Sequence, residues 1–210
     1  MKTLSTLFFS PKLPFILPLS LLPEVLAPPQ GPFPGPFVLG AWSIPSDPFE
    51  PMFAGAAINA SDEKFWVNKD TNTYCPANSG VPCADFNGTQ TVIGLGDAKN
   101  MNAGADLDVF VPGGQALYIA PDNTLSFTAA HSAAMPQGSK TLGFYNETTG
   151  NSDYLFFKGQ EWYLCPFTRG TEPMKRTYQV YSSAEPLTGC TRMEIKTYAP
   201  IKGIMIWQYT

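Results

Sequence analysis

The stretch Asp106-Leu-Asp-Val-Phe-Val-Pro-Gly-Gly-Gln-Ala-Leu-Tyr-Ile-Ala120 decides the fold class of this 210-residue chain. Side chains alternate along its first half, so one face of an extended strand carries Leu107, Val109 and Val111, and the other carries Asp106, Asp108 and Phe110. Gly113-Gly114 then separates two β-rich runs. Glycine adopts positive φ without steric cost, so this dipeptide predicts a tight hairpin turn.

Similar short runs continue towards the C-terminus. Pro121-Asp-Asn123 predicts a turn into a strand over 125–128. Further aromatic and β-branched runs occupy 154–157, 162–165, 178–181, 191–198 and 204–207. No window of 12 or more residues shows helical periodicity with caps. The pattern predicts an all-β fold: a single antiparallel β-sandwich or barrel-like domain over residues 52–210.

The N-terminal part has a different composition. The first 51 residues contain 12 of the 21 prolines, and proline removes a backbone donor and restricts φ. Residues 28–51 are therefore predicted to be a disordered, extended, proline-rich lead-in. Residues 1–27 are typical of an imperfect secretory signal segment, with Lys2 and Lys12 before an apolar run that Pro14, Pro18 and Pro23 interrupt.

The four cysteines, Cys75, Cys83, Cys165 and Cys190, allow three disulfide pairings. Pairing Cys75 with Cys83 and Cys165 with Cys190 is the simplest. The alternative is a zinc site, which is disfavoured because no C-x-x-C spacing is present and the single histidine is distant in sequence. Disulfides indicate an oxidising, extracytoplasmic compartment.

Three N-glycosylation sequons point to the same compartment. They begin at Asn59, Asn87 and Asn146, each in a stretch rich in Gly, Ser, Thr and Asn. We expect all three asparagines in loops or at strand ends, where a glycan can be attached.

Charge argues against several classes of partner. Only 14% of residues are charged, the net charge is −4, and no basic cluster occurs. Nucleic-acid binding needs clustered Lys and Arg to neutralise phosphates, so it is not expected. No membrane anchor is expected either, since no uninterrupted run of about 20 apolar residues is present.

Candidate catalytic residues are few. His131 is the single histidine, and its small-residue surroundings favour a packed or hydrogen-bonded structural role over a functional one. Asp106 and Asp108 lie on one strand face, at a spacing that permits glycoside hydrolysis and equally fits a solvated sheet face. A calcium site at Asp97, Asp106 or Asp108 lacks a loop signature. We therefore expect neither an enzyme nor a cofactor, and keep a small secreted hydrolase as an alternative.

Aromatic side chains suggest a binding role. Neighbouring pairs occur in several strand-like runs, and alternation turns one member of each pair outward. The candidates for sugar stacking are Trp66, Trp162 and Tyr163. The alternative, and the preferred interpretation, is that core packing and cross-strand pairing account for all of these rings.

Several segments together resemble a known family. They include Phe65-Trp-Val-Asn-Lys69, Val111-Pro-Gly-Gly-Gln115, Leu117-Tyr-Ile-Ala-Pro-Asp122, Phe127-Thr-Ala-Ala-His-Ser132 and Met135-Pro-Gln-Gly-Ser139. This series resembles the PhiA-type cell wall proteins of filamentous fungi, some of which are described as IgE-binding antigens. The resemblance runs from about residue 52 to the C-terminus.

The resemblance implies a secreted, non-catalytic structural component of the fungal cell wall, linked to the development of phialides and conidia. Its implied partners are wall polysaccharides or other wall proteins. A carbohydrate-binding surface protein remains the alternative within the same location.

Overall fold

A computed structural model describes residues 35–43, 51–97, 100–167 and 175–210, and its regular structure is almost entirely β. Two short 3-10 turns, Ala77–Ser79 and Cys83–Asp85, are the helical elements of this part. No helix among the described residues is long and apolar enough to cross a membrane. The predicted all-β class is confirmed, whereas the signal segment over 1–27 lies outside the described residues.

The described residues form fourteen β-strands: β1 (Phe37–Trp42), β2 (Ala54–Ser61), β3 (Lys64–Val67), β4 (Thr73–Tyr74), β5 (Val92–Leu95), β6 (Ala105–Leu107), β7 (Leu117–Ile119), β8 (Leu125–Phe127), β9 (Phe144–Thr149), β10 (Ser152–Phe157), β11 (Glu161–Pro166), β12 (Tyr178–Ser183), β13 (Thr191–Tyr198) and β14 (Gln208–Tyr209).

Six strands close into an antiparallel barrel in the order β1-β2-β3-β12-β11-β13. Pairing of β1 with β13, from Val38 opposite Tyr198 to Trp42 opposite Glu194, completes the ring. Closure leaves no unpaired edge within the ring, so the six barrel strands themselves offer no open edge for pairing with another chain. The barrel alternative of the prediction is therefore the correct one.

Outer strands join the barrel because three of its strands divide one edge between two partners. The first half of β13 pairs with β11 and its second half with β10, which in turn pairs with β9. Strand β1 likewise divides one edge between β5 and β2, and β3 divides one edge between β8 and β12. The outer strands thus widen the sheet beyond the barrel.

Alternating residues of the six barrel strands point inward and form the core. Their side chains are at most 3% exposed and pack as one cluster: Leu39, Ala41, Ile58, Ala60, Phe65, Val67, Trp162, Leu164, Tyr178, Val180, Met193 and Ile195. At roughly 25 cal/mol per Å² of buried apolar surface, burial of such side chains is the main stabilising term of the barrel.

Strand β1 corrects the predicted domain boundary. Residues 28–51 were expected to be an unpacked lead-in, yet Phe37–Trp42 is a central barrel strand. The physical reason is local. No proline interrupts Phe37-Val-Leu-Gly-Ala-Trp42, and alternation places Phe37, Leu39 and Ala41 on one face of the strand, where they are buried. The β domain therefore begins before residue 52.

The loop that contains Gly113-Gly114 is longer than the predicted tight hairpin turn, since β6 ends at Leu107 and β7 begins at Leu117. Both glycines adopt positive φ, at 89° and 64°. However, the N–H groups of Phe110 and Val111 donate to the carbonyls of Ile206 and Trp207. The predicted alternation of faces survives, because Leu107 and Val111 are buried whereas Asp106, Asp108 and Phe110 are exposed.

A buried amide holds the C-terminal strand β14 against the barrel. Gln115 is fully buried; its Nε2 donates to the carbonyls of Thr128 and Tyr209, each at 3.0 Å, and its Oε1 accepts from the Tyr209 N–H at 2.8 Å. The hydroxyl of Tyr209 donates to the carbonyl of Gln90 and accepts from the N–H of Val92. Burial raises the pKa of Tyr209 strongly, so this hydroxyl stays neutral.

The two disulfides are those of the simple local pairing. Cys75–Cys83 closes the loop after β4, and Cys165–Cys190 joins the end of β11 to the start of β13. All four cysteines are therefore used, and the alternative of a zinc site is wrong.

Candidate functional site

The outer surface of β1, β13, β10 and β9 carries five aromatic rings that keep part of their surface in solvent. We call this surface the aromatic face, and it consists of Trp42, Tyr145, Tyr154, Phe156 and Tyr198. Strand register brings these residues together, since β13 lies between β1 and β10, and β10 lies between β13 and β9.

The rings form two contacting groups. Tyr145 lies opposite Phe156, and their rings stack with centroids 5.3 Å apart and planes 21° apart. Tyr154, two residues before Phe156 and on the same face of β10, has its ring centroid 6.4 Å from the Phe156 ring. On the other side, the Trp42 Nε1–H donates to the Tyr198 hydroxyl at 2.6 Å.

Two glycines allow the Trp42 and Tyr198 rings to lie against the sheet. A Cβ atom at Gly40 would lie 2.8 Å from Cε2 of Tyr198, and one at Gly55 would lie 3.3 Å from Cζ2 of Trp42. Gly55 also has a φ of +83°, which few other residues adopt. The absence of a side chain at Gly40 and Gly55 thus leaves space for the two rings to pack close to the backbone.

Lys196 connects the two groups of rings. Its ammonium lies 4.2 Å from the ring centroid of Trp42 and 5.3 Å from that of Tyr154, within the range of cation–π attraction. Both distances are measured from the same nitrogen atom, so the Trp42 and Tyr154 rings lie close to each other. The two rings therefore flank a single cationic group at the centre of the face.

An open cleft of about 380 Å³ lies at this centre. Its lining combines aromatic and charged side chains: Trp42, Ser43, Tyr154, Arg192, Met193, Glu194 and Lys196. Arg192 is paired with Glu161 at 2.8 Å on the exposed surface. The cleft thus offers flat apolar walls beside hydrogen-bond donors and acceptors of both signs.

The hydroxyl of Tyr145 at the far end of the face remains a neutral hydrogen-bonding group. Burial and, to a lesser extent, the Glu147 carboxylate raise the pKa of Tyr145 above its ordinary value. Near neutral pH this hydroxyl can therefore both donate to and accept from a bound polar group.

The predicted sugar-stacking residues do not contribute to this face. Trp162 is 3% exposed inside the barrel, where its Nε1–H donates to the Leu155 carbonyl. Trp66 is equally buried, beneath Phe167 and Lys69, and Tyr163 is 6% exposed. Their assignment as solvent-facing contacts is wrong, because packing covers them, as the alternative interpretation expected.

The sequons occupy three different environments. Asn146 lies inside β9 and is 3% exposed, so its expected position in a loop or strand end is wrong. Asn59 lies inside β2, so the same expectation is wrong for it, and its Nδ2 donates to the Lys69 carbonyl at 2.7 Å. Asn87 lies in an irregular exposed segment, as predicted.

None of the residues proposed for hydrolysis lines this cleft. Asp106 and Asp108 are both exposed, on one face as predicted, but neither lines the aromatic cleft. Partial desolvation of the Asp106 carboxyl raises its pKa. His131 is exposed in a turn with a φ of 59°, so its expected packed position is wrong.

No group of three or more His, Cys, Asp or Glu side chains that could hold a metal ion occurs within the described residues. Asp97, the remaining member of the calcium hypothesis, is exposed.

The aromatic face escaped sequence reasoning because its members come from distant parts of the chain. Trp42 and Tyr198 are 156 residues apart, and Trp42 lay in the segment predicted to be unpacked. Tyr154 and Phe156 carry a usable signal: they are two apart in a strand whose other face holds buried Leu155 and Phe157, so they must point outward together.

Comparison with known proteins gives limited similarity. No family model matches the chain, and no solved structure matches it. A protein of Arthroderma benhamiae, described as an uncharacterized secreted protein, is 34% identical over 127 residues. The match covers 60% of this chain and 59% of that relative, which is less than two thirds of the relative's length. The chain is thus similar to a secreted fungal protein, which supports the predicted extracellular location.

Proposed function

We propose that this protein is a secreted, non-catalytic component of the fungal cell wall that attaches to wall polysaccharide through the aromatic face. The observation that carries this proposal is the set of five partly exposed rings on one outer surface. Large aromatic side chains are normally buried, so several on one exposed surface favour an interaction site.

The chemistry of the face suits a sugar polymer. Pyranose rings present an apolar C–H surface that packs on a flat aromatic ring, while their hydroxyl groups need hydrogen-bond partners. Trp42 and Tyr198 pack over Gly55 and Gly40 and remain partly exposed, so part of each ring is available for contact. Glu194, Arg192 and Lys196 supply acceptors and donors beside them.

The balance of charge favours a neutral polymer. The cationic Arg192 and Lys196 lie beside the anionic Glu161 and Glu194, and Arg192 and Glu161 already pair with each other. A surface for an acidic polysaccharide would require uncompensated cations. We therefore expect an uncharged β-glucan or chitin to be the ligand class.

A non-catalytic role fits the placement of the candidate acids. Hydrolysis of a glycosidic bond needs two carboxyl groups on either side of the bond, one with a raised pKa. Asp106 has a raised pKa, but it does not line the aromatic cleft, where we propose that the polymer binds.

Attachment to the wall and a link to phialide and conidium development come from the resemblance to PhiA-type proteins. The similarity to a secreted fungal protein is in keeping with this location. Fractionation of the producing cells should recover the protein from wall and medium; recovery in the cytosol alone would contradict it.

The binding proposal is tested with insoluble chitin and β-glucan. Trp42→Ala and Tyr154→Ala should each reduce retention by about 5- to 30-fold, because one ring–ligand contact is worth about 1–2 kcal/mol. Tyr74→Ala is the matched control, since Tyr74 is an exposed tyrosine outside the face.

Two results would reject the proposal. One is a lack of retention of the wild-type protein on either polymer. The other is an equal loss of retention in the Tyr74 control and the two face variants, which would indicate non-specific adsorption.

A further inference from the structure

A second aromatic cluster lies outside the aromatic face. It consists of Phe86, Phe110 and Trp207, with Phe86 in edge-to-face contact with both others at centroid distances of 5.3 and 5.4 Å. Phe110 is 55% exposed, and the other two rings are partly exposed. An exposed apolar cluster of this kind indicates a surface that packs against another group.

The residue after Phe86 is Asn87, the first residue of the sequon Asn87-Gly-Thr89. Among the described sequon asparagines, Asn87 combines an exposed side chain with an irregular segment. Asn146 is 3% exposed inside a strand, and the amide nitrogen of Asn59 already donates to the Lys69 carbonyl. A bulky glycan is compatible with the folded structure at Asn87, and burial leaves no room for one at Asn146.

Packing holds the Asn87 segment in place beside the cluster. The Gly88 N–H donates to the Met205 carbonyl at 3.3 Å, and a Cβ atom at Gly88 would lie 2.4 Å from Cδ1 of Ile206 and 2.5 Å from Cγ2 of Ile204. The middle residue of the sequon is therefore pressed against the C-terminal segment that carries Trp207. A backbone hydrogen bond from the Phe110 N–H to the Ile206 carbonyl, at 3.0 Å, holds the third ring beside the same segment.

From this arrangement we infer that Asn87 is the N-glycosylation site of the folded protein and that its first sugars pack on the Phe86–Phe110–Trp207 cluster. The glycan is tethered one residue from Phe86, so its local concentration at the cluster is high and little additional entropy is lost on contact. The apolar face of the N-acetylglucosamine covers rings that would otherwise meet water. The glycan thus becomes a stabilising part of the fold, which is a role separate from polysaccharide attachment.

The test uses protein secreted from a yeast host and two substitutions at the exposed Thr89. Thr89→Ala abolishes the sequon while Asn87 is kept, and Thr89→Ser preserves the sequon as a matched control. Each is made in the wild-type background and with Phe110→Ala, which removes the most exposed ring. Glycopeptide mass spectrometry measures occupancy at each sequon, and calorimetry measures Tm.

We expect Asn87 to be occupied and Asn146 to be unoccupied. Thr89→Ala should lower Tm by about 2–4 °C, because it removes the packing of the glycan on the aromatic cluster, and a modest loss of stability shifts Tm by this amount in a domain of this size. Thr89→Ser should retain the wild-type Tm. With Phe110→Ala present, loss of the glycan should change Tm by less than half as much, because the packing surface is incomplete.

Trimming the glycan to a single N-acetylglucosamine distinguishes packing from general shielding by a large sugar. Retention of the Tm after trimming supports packing of the first sugar. The inference is overturned by an unoccupied Asn87, by a Tm that falls as much on trimming as on complete loss, or by equal effects of Thr89→Ala in both Phe110 backgrounds.

Discussion

Replacing Gln115 with leucine tests whether a buried amide holds the C-terminal strand in place. The side chain is fully buried and makes three hydrogen bonds, two to Tyr209 and one to Thr128, at 2.8–3.0 Å. Leucine has a similar volume but no polar atoms. The substitution therefore leaves one backbone N–H and two carbonyls of the C-terminal and β8 segments without these partners.

The expected loss can be worked from these contacts. Each backbone group left unsatisfied in the interior costs about 1–3 kcal/mol, and the added apolar burial of leucine offsets about 1–2 kcal/mol. We expect the free energy of unfolding to fall by about 4 kcal/mol. That is a large part of the total of about 5–15 kcal/mol for a domain, and corresponds to about 2 M urea in the unfolding midpoint.

Gln179→Leu is the matched control, because Gln179 is also buried but poorly satisfied. Its Nε2 has no hydrogen-bond partner within the described residues, and its Oε1 accepts one long bond of 3.4 Å from the Tyr181 hydroxyl. Removing an unsatisfied buried amide should leave the stability within about 1 kcal/mol of wild type or raise it.

The assay is equilibrium urea unfolding followed by tryptophan fluorescence, with both disulfides intact. The reasoning predicts a difference of about 3 kcal/mol or more between Gln115→Leu and Gln179→Leu. Equal losses in the two variants would refute it, since they would mean that burial of any glutamine, and not its hydrogen bonding, determines the cost.

Three further predictions concern stability. Replacing both Cys165 and Cys190 with serine should lower the free energy of unfolding by about 3.5 kcal/mol, against about 2.5 kcal/mol for the shorter loop between Cys75 and Cys83, if chain entropy dominates; the reverse order in urea unfolding would contradict this. Glu63→Gly should raise stability by about 1 kcal/mol because Glu63 has a φ of 56° in the two-residue turn between β2 and β3; a fall in Tm would show that this turn is not strained. Asp106→Asn should slightly stabilise the protein at about pH 7, because partial desolvation of this largely exposed carboxyl raises its pKa and so disfavours its ionised form in the folded state. This gain should disappear as the pH falls below the unfolded pKa of about 3.9, where both states are protonated, and a gain independent of pH would contradict the electrostatic cause.

Local sequence patterns were sufficient wherever neighbouring residues determine the structure. The turn at Asn123, with a φ of 70°, joins β7 and β8 as the Pro121-Asp-Asn123 signal predicted. The alternation of Leu107 and Asp108 likewise appears as burial and exposure. The short loops also made the local disulfide pairing the simplest, and it is the one formed.

Strand partners could not be predicted in the same way. Strands β10 and β11 are separated by three residues and suggest a hairpin, yet β13 lies between them in the sheet. Pairing of a strand depends on which edges remain free after barrel closure, and a short stretch of sequence carries no such information.

The sequence by itself thus indicated that this chain is all-β, favoured disulfides over a zinc site, and offered three possible glycan acceptors, Asn59, Asn87 and Asn146. These properties depend on side-chain alternation, turn chemistry and local spacing, which act over a few residues. Only the tertiary structure decided that Phe37–Trp42 is a barrel strand and that Trp162 is interior. Only the tertiary structure assembled Trp42, Tyr154 and Tyr198 on one surface, because the closure between β1 and β13 joins residues more than 150 positions apart.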